Sequence, residues 1–408
     1  MDRTNDIYIR ISSKDAFDPH HADVVDGLRA FAILLIGWYH IWQQSWLMPL
    51  LDLRSIGLSR ISFDVIPRTG YLWVDLMLFI SAFCLFLPSA RASASGGPLP
   101  SFRNFYLKRA IRILPMYLLC VFSLFIYALT SGKYAGAGAA IRELIADLTF
   151  TQTFFPQTYL NAQINAALWT VAVEMQFYLL FPLIAKLFYK KPFLTFIGMI
   201  VVSETYLRFY ALPSPDGLRM TVNQLPAFFG IYAFGMLAAL IYEQIAVRLK
   251  HTFPLALCST FACFIVVLSL RKLLFLAAGS QPVQVFQGKY RILLAFLFLV
   301  LTLSLCCAPR CLRAVFSNPV TRLFAGVSYP FYIWHQWIAV RLKEWHIPYW
   351  DGDTLPNMAG NAVWQERYTF LCFLSAIVIA ALLTYLIDRP VTKRIRNEIH
   401  DHIYKEEN

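Results

Sequence analysis

Ten apolar runs, each close to the length needed to cross a bilayer, leave this chain few ways to fold. They fall near 27–46, 70–88, 110–130, 166–188, 193–211, 225–246, 253–276, 291–308, 323–342 and 367–388. About 20 apolar residues span the hydrocarbon core of a membrane. Backbone N–H and C=O groups in lipid must be satisfied within their own segment, so each run is predicted to be a helix. The composition fits: 58% of residues are hydrophobic and 15% charged, where a soluble protein carries roughly 25% charged residues. The predicted fold class is therefore all-α integral membrane, with about ten transmembrane helices and the lipid bilayer as a partner. The 34 Phe, 21 Tyr and 10 Trp suit lipid-facing and interfacial positions.

Lysine and arginine counting sets an orientation. With the N-terminus in the cytoplasm, 22 of the 36 Lys and Arg fall on cytoplasmic segments and 13 on outer ones, with Arg208 inside a span. Arg291 is among the outer ones. The bias predicts both termini inside. The expected organisation is a cytoplasmic segment 1–26, a membrane domain 27–388 and a charged cytoplasmic tail 389–408. No signal peptide precedes the first run, which reads as an uncleaved anchor. The longest outer connections are about 43–69, 131–165 and 343–366; the middle one holds a short amphipathic helix, Ala139 to Phe150. Ala92–Gly97 reads as a flexible turn. The net charge of +12 is accounted for by basic loops facing an anionic leaflet, not by nucleic acid. The eight cysteines lie mostly in apolar runs without metal-ligand spacing, so neither a disulfide nor a metal is expected. A homo-oligomer is left open.

Within this frame, ionisable residues on apolar helices mark sites by default. Arg29 and His40 are eleven residues apart on the first span, about three turns or 16 Å of rise. One stripe carries Asp26, Arg29, Ile33, Ile36 and His40. Arg29 is either an orienting anchor paired with Asp26 or a ligand contact; His40 is either interfacial or chemical. Arg109 and Arg112, three residues apart, share a face where the third span begins, and arginine forks suit phosphate oxygens. Asp75 and Glu174 lie within spans and need a partner or a proton. Glu204 and Arg208 read as an internal bridge without chemistry. His335 sits in an aromatic span. His21 through Asp26 also matches a His-x4-Asp pattern of glycerolipid acyltransferases, which two fixed positions produce easily by chance.

Taken together, these segments resemble the membrane acyltransferase-3 family of bacterial envelope acyltransferases. The matching pieces are Asp26-Gly27-Leu28-Arg29 with His40; Trp73 to Phe83; Arg109 and Arg112 before Ile113-Leu114-Pro115; Leu168 to Leu179; Ser328-Tyr329 to Trp334-His335; and Asp388-Arg389-Pro390. The chain departs from the common pattern at Ala82, Met175 and Asp388, none of which touches His40.

The resemblance implies a bacterial inner-membrane enzyme. It would move an acyl group, usually acetyl, from cytoplasmic acyl-CoA to a hydroxyl of an extracytoplasmic glycan or other envelope molecule. It assigns His40, Glu174 and His335 to catalysis and Arg29, Arg109 and Arg112 to the acyl-CoA side. Asp75 and Trp169 are assigned to substrate binding. An acyl relay for a separate transferase, and a transporter or flippase without bond-making, are the competing readings. Inverted repeats, which would favour transport, are not found in the sequence.

Overall fold

The computed structural model describes residues 23–57, 59–214, 217–248 and 253–406. Most of the expected segment 1–26, including the His21 end of the His-x4-Asp pattern, lies outside them. The long helices are α1 (Asp23–Ser45), α2 (Trp73–Ser95), α3 (Phe102–Thr130), α4 (Ala137–Leu148), α5 (Trp169–Lys190), α6 (Pro192–Tyr206), α7 (Leu225–Arg248), α8 (Phe253–Ala278), α9 (Val283–Cys307), α10 (Pro319–Glu344), α11 (Ala362–Leu383) and α12 (Arg389–Glu406). A two-residue antiparallel pair, Leu50–Leu51 with Ile61–Ser62, decorates one loop. The fold is an all-α integral membrane architecture, as the apolar runs predict.

Nine segments among the described residues are long and apolar enough to cross a bilayer. The remaining predicted run, 323–342, is present as α10, long enough at 26 residues but less apolar. Its Tyr, Trp, His and Gln side chains lower the hydropathy that a span would otherwise show. Several boundaries move. Helix α2 runs on through Pro88 and the expected turn to Ser95, where Gly96, at φ +67°, closes it. A left-handed residue there favours glycine. Helix α3 begins at Phe102, so Arg109 and Arg112 are helical from the outset. Helix α9 begins at Val283, which corrects the reading of Arg291 as a loop residue: it is fully buried inside the helix.

The centre of the bundle is the crossing of α2 with α7, with α1 packed between α2 and α10. Close approach is permitted by Gly235, where an added Cβ would stand 2.3 Å from the Phe79 carbonyl oxygen. Helix α8 lies at the periphery and leaves Leu257, Phe261, Phe264 and Leu268 exposed, the pattern of a lipid-facing helix. The expected amphipathic helix is α4. Its Glu143 carboxylate accepts the backbone N–H groups of Gln163 (2.6 Å) and Ile164 (3.0 Å) and ties the 131–165 connection to itself. Burial raises the Glu143 and Asp147 carboxyls above the usual carboxylate range. The Glu204–Arg208 bridge forms at 2.8 Å. All eight cysteines are free thiols.

Candidate active site

Helix α1 carries the predicted stripe on a face turned into the bundle: Ile33 and Ile36 are buried. At its start Arg29 donates to Asp26 over 2.7 Å. Arg29, Asp26, Arg109 and Arg112 all lie within Coulombic reach of the Cys84 thiol on α2. The predicted arginines of two helices therefore converge at one end of the bundle, called here the basic end. Arg112 also acts on Asp388, which draws the Asp-Arg-Pro segment into the same region. The buried Nε atoms of Arg29 and Arg109 have no hydrogen-bond partner among the described residues. Buried donors of this kind are costly unless something accepts from them, and an oxyanion would. Beside them is a pocket of about 130 Å³ whose lining includes Ser89, Asn104, Phe105, Lys108, Arg109 and Lys186. It offers cations at an apolar wall, the surroundings an anionic, partly apolar ligand requires.

Halfway along the bundle is Glu174. Its Oε1 accepts from the Tyr178 hydroxyl at 2.5 Å and from Ser81 on α2. Tyr178 is itself within Coulombic reach of Arg109, and Glu174 acts on Tyr232, Tyr329 and Tyr332 of α7 and α10. Side chains from α2, α5, α7 and α10 thus surround this carboxylate, yet it is not fully buried.

His40 and His335 meet further along. His40 Nδ1 and His335 Nε2 are 2.7 Å apart, with the rings inclined by only 18°. His335 is fully buried, whereas His40 keeps partial exposure. The protons can be assigned by elimination. His335 Nδ1 lies 3.1 Å from the Phe331 carbonyl oxygen, which can only accept, so this nitrogen carries hydrogen. Neutral His335 then presents a lone pair at Nε2, and His40 Nδ1 must donate to it. Neutral His40 is left with a bare Nε2 that no hydrogen bond occupies among the described residues. The order carbonyl, imidazole, imidazole fixes the tautomer of the outermost ring, the role an orienting group plays beside any catalytic base.

Helix α10 is pinned so that this pair is held in register. Tyr329 donates to the Ile113 carbonyl at 3.1 Å. Tyr332 shares a 2.5 Å hydrogen bond with Thr170, and Asn165 donates to the Ile333 carbonyl at 2.6 Å. Gly37 supplies the space: a Cβ there would stand 2.7 Å from the Phe331 ring. Gly37→Ala is expected to lower the thermal midpoint of the purified protein, because overpacking typically costs about 1–3 kcal/mol and outweighs the gain in helix propensity. An unchanged midpoint would show that the ring yields freely.

Asp75 is placed elsewhere. It pairs with Arg291 of α9, Nε to Oδ2 at 3.5 Å, both fully buried. Arg291 further donates to the Val222 carbonyl at 2.8 Å and lies 4.1 Å over the Phe228 ring. Trp169 touches that same ring and Tyr159. The histidines are thus brought together, as are the arginines, while Asp75 and Trp169 gather on the Arg291–Phe228 side. Sequence reasoning missed Gly37, Asn165 and Arg291. A lone glycine within a helical run signals close approach and could have found the first. The other two partners lie 168 and 216 residues away from theirs, beyond any local pattern.

The family model described as an acyltransferase domain matches residues 23–395. A protein of Staphylococcus aureus strain COL, provisionally named an O-acetyltransferase, is 25% identical over 90% of this chain and 57% of its own length. A protein of Acidianus two-tailed virus, provisionally named an acetyltransferase, is 27% identical over 56% of this chain and 59% of its own. The acyltransferase MdmB of Streptomyces mycarofaciens is 27% identical over 41% and 40%. This chain spans about 40 to 59% of the length of these relatives. No solved structure matches it. With nearly the whole chain matched, and with the arginines and histidines gathered along one path through the bundle, the protein belongs to the acyltransferase-3 family.

Proposed function

We propose that the protein transfers an acyl group, acetyl in the simplest case, from acyl-CoA to a hydroxyl of an extracytoplasmic carbohydrate or other envelope molecule. In this reading it sits in the bacterial cytoplasmic membrane with its basic end and both termini inside. The observation that carries the reading is the bare Nε2 of His40, oriented through His335 by the Phe331 carbonyl. The CoA phosphates would lie against Arg109 and Arg112, with Arg29 beside them. The acylated arm would run past Glu174 toward His40, about 16 Å from Arg29 along α1. His40 Nε2 takes the proton of the acceptor hydroxyl as its oxygen bonds to the thioester carbonyl carbon. Collapse of the tetrahedral intermediate breaks the C–S bond, and the thiolate recovers that proton from His40. The products are an ester and free thiol, and the enzyme returns to its starting protonation state. His335 keeps Nδ1 of His40 engaged throughout and stabilises the transient imidazolium.

The test is vesicle-reconstituted protein with labelled acetyl-CoA on one side and a sugar acceptor on the other. Label is expected on the acceptor hydroxyl. An acceptor that crosses the bilayer while all label stays on CoA would replace this reading with transport. The double variant Arg109→Ala, Arg112→Ala is expected to raise the apparent KM for acetyl-CoA at least roughly tenfold, since hydrogen bonds to charged groups contribute about 1.5–3 kcal/mol each. An unchanged KM would remove both arginines from the donor site.

A further inference from the structure

Between Gln244 and Lys343 the chain contains no aspartate or glutamate. Within this stretch Arg271 and Lys272 stand side by side on α8, both exposed. Helix α8 packs chiefly on α9, and its outward surface is otherwise apolar. The two cations border one shallow depression completed by Leu268, Phe275 and Leu276. The Arg271 guanidinium lies 5.4 Å over the Phe275 ring. Neither cation has a carboxylate within ion-pair distance among the described residues.

Depth makes this arrangement unusual. Arg271 lies seven residues before Ala278, the end of α8, so its Cα is about 10 Å inside that end. A 25-residue span is about 37 Å long and the hydrocarbon core about 30 Å thick. In an upright span centred on that core, the Cα atoms of both cations fall several ångströms below the polar boundary, and their side chains reach up to it. Lys289, six residues after the start of α9, stands at the same height on the neighbouring helix. This end of α8 is opposite the basic end, where arginine and lysine oppose the usual orientation bias. Cations kept at this depth, against that bias and without an acidic partner among the described residues, are placed to take an anion from outside the chain.

We infer that Arg271 and Lys272 form a binding site for the phosphate headgroup of an anionic lipid of the surrounding bilayer, with acyl chains lying along Leu268, Phe275 and Leu276. The guanidinium presents a fork that phosphate oxygens match in two places, and the ammonium adds a point charge from the adjacent position. The lipid is a structural ligand of the helix surface, separate from the chemistry at His40.

The test uses the full-length protein in nanodiscs of phosphatidylcholine with or without phosphatidylglycerol, and native mass spectrometry to count retained lipids. The wild type is expected to retain phosphatidylglycerol in preference to phosphatidylcholine. The variant Arg271→Gln, Lys272→Gln should lose that preference by roughly 30-fold, from the attraction of two cations near the surface. Removing charge from a lipid-facing helix eases insertion, so this variant folds; the second variant, Arg271→Lys, should keep most of the preference. Equal retention of phosphatidylglycerol by wild type and the double glutamine variant would overturn the site. So would equal retention of both lipids by the wild type, which would mean an apolar annulus only. A thermal shift given in detergent by inorganic phosphate as large as that given by phosphatidylglycerol would also overturn it, because the occupant would then not be a lipid.

Discussion

His40→Ala is expected to lower acyl transfer roughly 10²- to 10⁴-fold, the usual contribution of a positioned general base, with the apparent KM for acyl-CoA little changed. The reason is positional. His40 holds the one bare ring nitrogen of the pair, whereas the arginines that would hold the donor are about three helical turns away. His335→Ala should cost less, roughly 10- to 100-fold, as removal of an orienting partner typically does. It leaves His40 in place but frees its ring to rotate and to change tautomer. His335→Gln should recover part of that loss, since its amide oxygen can accept from His40 Nδ1. The double alanine variant should be no slower than His40→Ala alone, because the second ring acts only through the first. Initial rates with labelled acetyl-CoA, on protein whose helical content is checked, measure all four. Strictly additive losses would mean that His335 touches substrate itself, and undiminished transfer by His40→Ala would take the base away from this site.

Much of this arrangement was legible in the chain because its signals are local. An eleven-residue spacing on one helix states which face Arg29 and His40 share, and the structure buries the Ile33 and Ile36 between them. Arg109 and Arg112 announce themselves by standing at the start of an apolar run. What the chain does not state locally is pairing. The choice left open for Arg29, anchor or ligand contact, turns on Asp26 and Cys84, and Cys84 lies on another helix. That His40 faces His335 depends on Gly37 letting Phe331 approach. Hydropathy also works against the site it is meant to find. Helix α10 is the least obvious span because it carries Tyr332, His335 and Gln336, the residues that make the interior polar. Likewise a run read as starting at Arg291 hides the fact that this arginine belongs inside it.

Asp75 and Arg291 give the second large effect, on stability. Arg291→Leu or Asp75→Ala is expected to destabilise the protein by about 3–5 kcal/mol, because each leaves an uncompensated charge in a dry interior. The two losses should not be equal. Arg291 stripped of its partner keeps the Val222 carbonyl and the Phe228 ring. Asp75 stripped of its partner keeps nothing among the described residues, since neither of its oxygens has a hydrogen bond there even in the intact structure, so Arg291→Leu should be the more damaging of the two. Asp75→Asn should be milder than Asp75→Ala, because its amide oxygen can still accept from Arg291 and it leaves no cavity. Adding Arg291→Met to Asp75→Asn should restore most of the stability, since replacing both charges of a buried pair is often neutral. Thermal midpoints in one detergent, read beside the KM for acceptor, decide what this pair is for. A structural pair moves the midpoint and leaves the KM where it was. If Asp75→Asn instead leaves the midpoint intact and raises the acceptor KM, the carboxylate belongs to the substrate and Arg291 is there to orient it.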